Sequence, residues 1–143
     1  MFNWSADFIG VPWTAHGRDL AGLDCWGLVR FVYWKQLGII LESYSDGYIT
    51  ATERDEISAL IGGARAHAPW QEIPIGSERE FDVAIFRCAG LASHVGVVIE
   101  PGMMLHVQSG KESEIDRYND GRWRPRLIGF QRHERVAEGQ NVG

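Results

Sequence analysis

Three residues in this chain have the types and the spacing to do covalent chemistry together. Cys25 stands in GLDCWGLVRF (residues 22–31), between an aspartate and a tryptophan and ahead of an apolar run. His94 and His106 stand in SHVGVVIEPGMMLHV (residues 93–107), separated by 106 − 94 = 12 positions. From Cys25 onward, Leu28, Val29, Val32 and Leu37 recur at helical spacing, with Phe31 and Trp34 beside them and Gly38 as a stop. The spacing predicts a helix from about Cys25 to Leu37 with Asp24 as its N-cap. A helix N-terminus carries unpaired N–H groups and partial positive charge, which stabilise a thiolate, the reactive form of cysteine. Cys25 is therefore a candidate nucleophile. A free cysteine also serves as a small buried apolar residue, and position alone leaves both readings open.

A cysteine nucleophile needs a base, and that base usually needs a third group to orient it. The chain has five histidines. His94 and His106 fall on two predicted strands joined at Pro101-Gly102, a turn signal. Strand side chains alternate between faces, so register decides whether the rings meet. If residue 96 pairs with residue 106, the histidines share a face as diagonal neighbours. That pairing predicts a turn of odd length near Pro101-Gly102.

The elements that must carry these residues are legible in outline. A short helical turn or two fits residues 3–9, broken at Gly10-Val-Pro-Trp13. Residues 14–24 and 39–51 have the polar, Gly-containing character of loops. Thr52 caps a predicted second helix over about 53–62, and residues 62–80 read as irregular. Strands are expected at Phe81–Arg87, His94–Glu100, Met103–Gln108, Ile115–Tyr118 (a weak signal) and Leu127–Arg132. Helices first and strands later, with tight links, predict an α+β fold with an antiparallel sheet. The 143 residues suit one domain over 1–136 and a disordered tail over 137–143.

Totals narrow the classes. A net charge of −5 argues against a general nucleic-acid binder, and the broken apolar runs against membrane insertion. The N-terminus lacks a basic segment followed by an apolar core, so no secretory signal is expected. Two cysteines make no disulfide framework, and neither CxxC nor His-x-x-x-His spacing is present, so no metal centre or cofactor is expected. Cys88 reads as structural. Arg117, Arg122, Arg124, Arg126, Arg132 and Arg135 form a basic stretch, read either as a solvated face or as a docking surface for an acidic partner. Arg18, in the loop before Cys25, is either a surface residue or a clamp for a substrate carboxylate. His16 either lines the cleft or lies on a surface loop.

The set Asp24-Cys25-Trp26-Gly27-Leu28-Val29, Ser93-His94-Val95-Gly96-Val97-Val98 and Leu105-His106 resembles the NlpC-type cysteine peptidases of bacterial cell walls, over about residues 8–110. The resemblance implies a minimal papain-like fold, N-terminal helices packed on an antiparallel sheet, with Cys25 as nucleophile, His94 as base and His106 as orienter. It implies a peptidoglycan stem peptide as substrate and no metal. The variant DCWGLVR, preceded by GRDLAG, is most similar to members from bacteriophage tails and phage-derived particles. That implies synthesis in the cytoplasm, tail hub or tip proteins as partners, and action in the periplasm or cell wall. A mainly structural role in a tail tip is the alternative. The chain departs from the family pattern at several positions. Trp13 stands where a tyrosine usually assists the oxyanion, Trp26 where a serine commonly follows the nucleophile, Phe81 where glycine is usual, and His16 where glycine is frequent. Trp13, Asp24, Trp26 and Arg18 are thus the candidates for oxyanion or substrate contacts.

Overall fold

The computed structural model describes residues 4–14, 18–19, 21–41, 70–88 and 91–137. The predicted second helix over 53–62, His16, His67 and the tail beyond residue 137 lie outside the described residues.

The helix forms where the spacing placed it. Helix α1 runs over Cys25–Val32, and a π turn, Tyr33–Leu37, carries it to Gly38. Gly38 has φ +68°, the left-handed conformation that ends helices. At the other end Asp24 is the N-cap, its Oδ1 accepting the Gly27 N–H at 2.6 Å. A single 3₁₀ turn, Ser5–Phe8, represents the N-terminal helical segment.

Two short strands, β1 (Arg18–Asp19) and β2 (Gly22–Leu23), pair in the stretch before α1 that the sequence reads as loop. Six more form an antiparallel sheet: β3 (Trp70–Ile73), β4 (Val83–Cys88), β5 (Leu91–Glu100), β6 (Met103–His106), β7 (Glu114–Arg117) and β8 (Leu127–His133). Their spatial order is β3-β8-β4-β5-β6-β7. Strand β3 corrects the expectation of irregular chain over 62–80. Trp70-Gln-Glu-Ile lacks strict alternation, and Pro74 ends it. It is held as an edge strand by pairing with β8, a partner far away in sequence.

Alternation along β5 sorts the core into two layers. Val95, Val97 and Ile99, with Leu105 of β6, join the cluster containing Cys25, Leu28, Val29 and Val32 of α1. Val98 and Met104 join Ala84, Phe86, Tyr118, Trp123 and Phe130 in a second cluster on the other face. The sheet is thus buried on both sides around β4, β5 and β6, and α1 lies against β5.

Next to the second cluster is a buried ion pair. Arg132 grips Asp82 through Nε–Oδ1 at 2.8 Å and Nη2–Oδ2 at 2.7 Å. Arg132 therefore leaves the basic surface stretch read from the sequence. Phe81, just before it, has φ +72°. This explains why glycine is usual there: the chain needs a left-handed residue. In this protein Phe81 stacks on Trp4 with centroids 4.8 Å apart, donates its N–H to Val98 O at 2.8 Å, and its carbonyl accepts the Tyr33 hydroxyl. Phe81 is a strained position held by its contacts rather than neutral drift.

Candidate functional site

The hairpin β5–β6 decides whether the two imidazoles meet, and it does so differently from the expected route. The turn is short, Pro101-Gly102 alone, with Gly102 at φ +96° as a Pro-Gly turn requires. An even-length turn would send the histidines to opposite faces. The parity is restored by a bulge. Val98 pairs with Met104 and Glu100 with Met103, so Ile99 is the extra residue. With Val97 opposite Leu105, residue 96 falls opposite residue 106, and His94 and His106 share a face. Between them lies Gly96. A Cβ there would sit 2.8 Å from Met104 Sδ and 3.2 Å from His106 Cβ, so a side chain would push β6 away.

The rings are hydrogen-bonded, His94 Nε2 to His106 Nδ1 at 2.9 Å. Both residues are buried, at 5% and 0% exposure. Burial, then the neighbouring His106, then Arg126, push the His94 pKa down to about 3. Burial also lowers His106, to about 4, against the opposing pull of the Asp116 carboxylate. At neutral pH the dyad is therefore uncharged. With Nε2 engaged, Nδ1 is the nitrogen through which His94 can take a proton.

Two further residues complete this arm, and neither was singled out from the sequence. Trp123 stacks on His94, centroids 5.1 Å apart at 20°, and stands edge-on to His106 at 5.0 Å. Its Nε1 donates to Asp116 Oδ2 at 2.9 Å. That oxygen is 3.4 Å from His106 Nε2, within ion-pair range, yet Nε2 finds no acceptor in hydrogen-bond geometry. We take the contact as electrostatic. Asp116 could have been found by extending the diagonal-neighbour argument one strand further, since β7 pairs His106 with Glu114 and Met104 with Asp116. Trp123 lies in the short 3₁₀ approach to β8, where periodicity carries no signal.

Cys25 occupies the first position of α1 and is fully buried. It belongs to the apolar cluster under α1, whereas the His94 ring packs with Phe86 and Trp123. Sulfur and imidazole are thus carried by two touching elements, α1 and β5. His94 follows a second irregularity: Phe86 pairs with His94 but Arg87 with Ala92, leaving Ser93 as an extra residue. Bulges re-aim the side chains beside them.

The remaining candidates separate. Trp13 is tied to the start of the helix through its backbone, bridging to Leu23 and donating its backbone N–H to Lys111 O at 2.9 Å. Arg18 pairs in register with Leu23. Asp24 is buried, and its Oδ1 caps α1 by accepting the Gly27 N–H. Trp26 corrects the expectation of an oxyanion or substrate contact: it is fully buried, with its ring centroid 6.2 Å from that of Trp70. Cys88 ends β4 opposite Leu91. Although the sequence showed no metal-ligand spacing, the sheet gathers ligand atoms of His106, Glu114 and Asp116 within 4.8 Å of one another.

Comparison with known proteins agrees with this architecture. The murein DD-endopeptidase MepS/murein LD-carboxypeptidase of Escherichia coli K12 is 23% identical over 121 residues, 85% of this chain and 55% of that protein. The chain thus spans about half the length of the curated relatives it matches. A solved NlpC/P60 family protein from Bacillus cereus superposes with a TM-score of 0.66 at 21% identity, covering 92% of this chain and 38% of the other. The NlpC/p60 domain of the peptidoglycan hydrolase SagA gives 0.58 at 19%, covering 80% and 84%. RipD from Mycobacterium tuberculosis, described as a non-catalytic NlpC/p60 domain protein adapted to peptidoglycan binding, gives 0.59 at 15%, covering 90% of each. The NlpC/P60 family model matches residues 10–132, and the chain belongs to that family.

Proposed function

We propose that this chain is a cysteine peptidase that hydrolyses amide bonds in peptidoglycan stem peptides, with Cys25 as nucleophile, His94 as base and His106 as its orienter. The observation that carries this reading is the buried 2.9 Å bond from His94 Nε2 to His106 Nδ1. It holds one imidazole nitrogen and leaves the other for proton transfer. The uncharged dyad favours general-base chemistry over a preformed ion pair. His94 Nδ1 accepts the thiol proton as sulfur attacks the carbonyl carbon. The Cys25 N–H, at the capped start of α1, and Trp13 are the candidate oxyanion donors. His94 then protonates the leaving amine, and water resolves the thioester. Asp116 and Trp123 keep His106 and His94 in place. The test is release of soluble fragments from purified cell walls. Wild type is expected to release them and Cys25→Ala to fall to background; equal release by both sinks the proposal.

A second reading, a scaffold with weak or lost activity, is favoured by the packing of His94 in a different cluster from Cys25. Labelling by a thiol-reactive probe, assigned to Cys25 by mass spectrometry, separates the two. A rate that drops in His94→Ala supports catalysis, and an unchanged rate supports the scaffold. We further propose a phage tail or phage-derived particle as the setting, with hub or tip proteins as partners, on the likeness of DCWGLVR and GRDLAG to tail-associated members. Proteomics of purified particles that found the chain absent from the tail fraction would overturn that setting.

A further inference from the structure

His106 Nε2 takes no part in the proposed proton transfer. Its residue is 0% exposed, and the atom finds no hydrogen-bond partner. The neighbours it faces are two carboxylates. Glu114 lies directly across the β6–β7 ladder and Asp116 diagonally, so all three side chains share the face that carries His94. One ligand atom from each falls within 4.8 Å of the others. Zinc bonds of about 2.0–2.2 Å place tetrahedral ligand atoms roughly 3.4 Å apart, inside the 4.8 Å spread of these three atoms, so the side chains must close up on the ion. One imidazole and two carboxylates suit zinc and similar transition cations. Asp116 is already steadied, Oδ2 by Trp123 Nε1 at 2.9 Å and Oδ1 by the Arg117 N–H at 2.9 Å. Such outer contacts orient metal ligands. Arg122 lies 3.8 Å from the same Oδ2 and over the Trp123 ring at 5.3 Å; it opposes a cation, and its side chain is 54% exposed, so it must leave this place when the site fills.

We propose that His106, Glu114 and Asp116 form a site for a divalent transition cation, zinc in the first instance, and that filling it switches off the histidine dyad by changing its tautomer. The proton count is the same in both states. Without metal, His106 carries its proton on Nε2, toward Asp116. Its Nδ1 accepts from His94 Nε2–H, and His94 Nδ1 keeps a lone pair. A cation on His106 Nε2 takes that lone pair and requires the proton on Nδ1. His106 then donates to His94 Nε2, and the His94 proton moves to Nδ1. That nitrogen can no longer accept a proton.

Binding and tautomer are measured without activity, on a Cys25→Ala/Cys88→Ser chain so that no thiol competes for the metal. Zinc titrated against a fluorescent chelator is expected to reach one per chain, with affinity reduced at least tenfold by Glu114→Gln or Asp116→Asn. Nitrogen NMR of the imidazoles is expected to show the His94 proton on Nε2 before zinc and on Nδ1 after it. Affinity indifferent to both carboxylate substitutions, or an unmoved His94 proton, overturns the proposal. An activity arm rests on the peptidase reading. Zinc should inhibit wall hydrolysis by wild type, while Glu114→Gln retains metal-free activity and resists zinc. Failure of wild type to hydrolyse without metal sinks the peptidase reading and leaves the binding and tautomer measurements to decide this one.

Discussion

Lowering the pH from 7 to 5 should destabilise this protein more than its carboxylates account for, because two buried imidazoles resist protonation. The ordinary histidine value is 6.5, and burial brings His94 to about 3 and His106 to about 4. Between these values the folded chain keeps both rings neutral while the unfolded chain protonates them. The unfolded state then binds more protons, so stability rises with pH across the window. The contribution is complete above about 6.5 and is lost progressively as pH falls toward 4 and then 3. Each unit is worth about 1.4 kcal/mol per group, so at pH 5 each ring costs roughly 2 kcal/mol and the pair on the order of 4 kcal/mol. The rings share a hydrogen bond and titrate as a pair, so the sum is the meaningful quantity. Urea unfolding at pH 7 and pH 5, with wild type and a His94→Asn/His106→Asn variant, measures it. Wild type should lose several kcal/mol more than the variant between the two pH values. Equal losses would refute the claim that the dyad is neutral and buried.

Two further substitutions probe the supports of the site. Trp123→Phe keeps a ring over His94 but removes the donor to Asp116 and should cost about 1–2 kcal/mol by urea unfolding. Trp123→Ala, which also empties the stack, should cost about 3–5 kcal/mol. Asp82→Asn strands the Arg132 guanidinium in the interior and should cost about 3–5 kcal/mol, with part recovered in Asp82→Asn/Arg132→Met. A cost below 1 kcal/mol for Asp82→Asn would show the pair to be solvated.

The parts of the fold that were legible in the sequence are those set by local chemistry. Asp24 ahead of an apolar helical stripe marked the start of α1, and alternating apolar residues marked β4, β5 and β6. The histidine pair was legible through parity, although its mechanism was misassigned. An expected odd-length turn is instead Pro101-Gly102 plus a bulge at Ile99, and a bulge leaves no residue signature in a run of valine and isoleucine. What was not legible depends on distant partners. Trp70–Ile73 becomes a strand only beside β8. Trp26 reads as a large residue next to a nucleophile until its ring meets Trp70. Arg132 reads as one of several basic surface residues until Asp82, fifty positions earlier, takes it inside. Phe81 reads as a tolerated replacement until the backbone is seen to be left-handed there.

The bulge at Ile99 also makes the length of the hairpin a discrete variable. Surface turns ordinarily accept an inserted or deleted residue at little cost. Here each single-residue change upstream of Leu105 swaps the side of the ribbon on which the second imidazole emerges, whereas a change of two restores it. Relatives with a working dyad should therefore differ in this connection by even numbers of residues, and an odd difference should coincide with a lost or gained bulge.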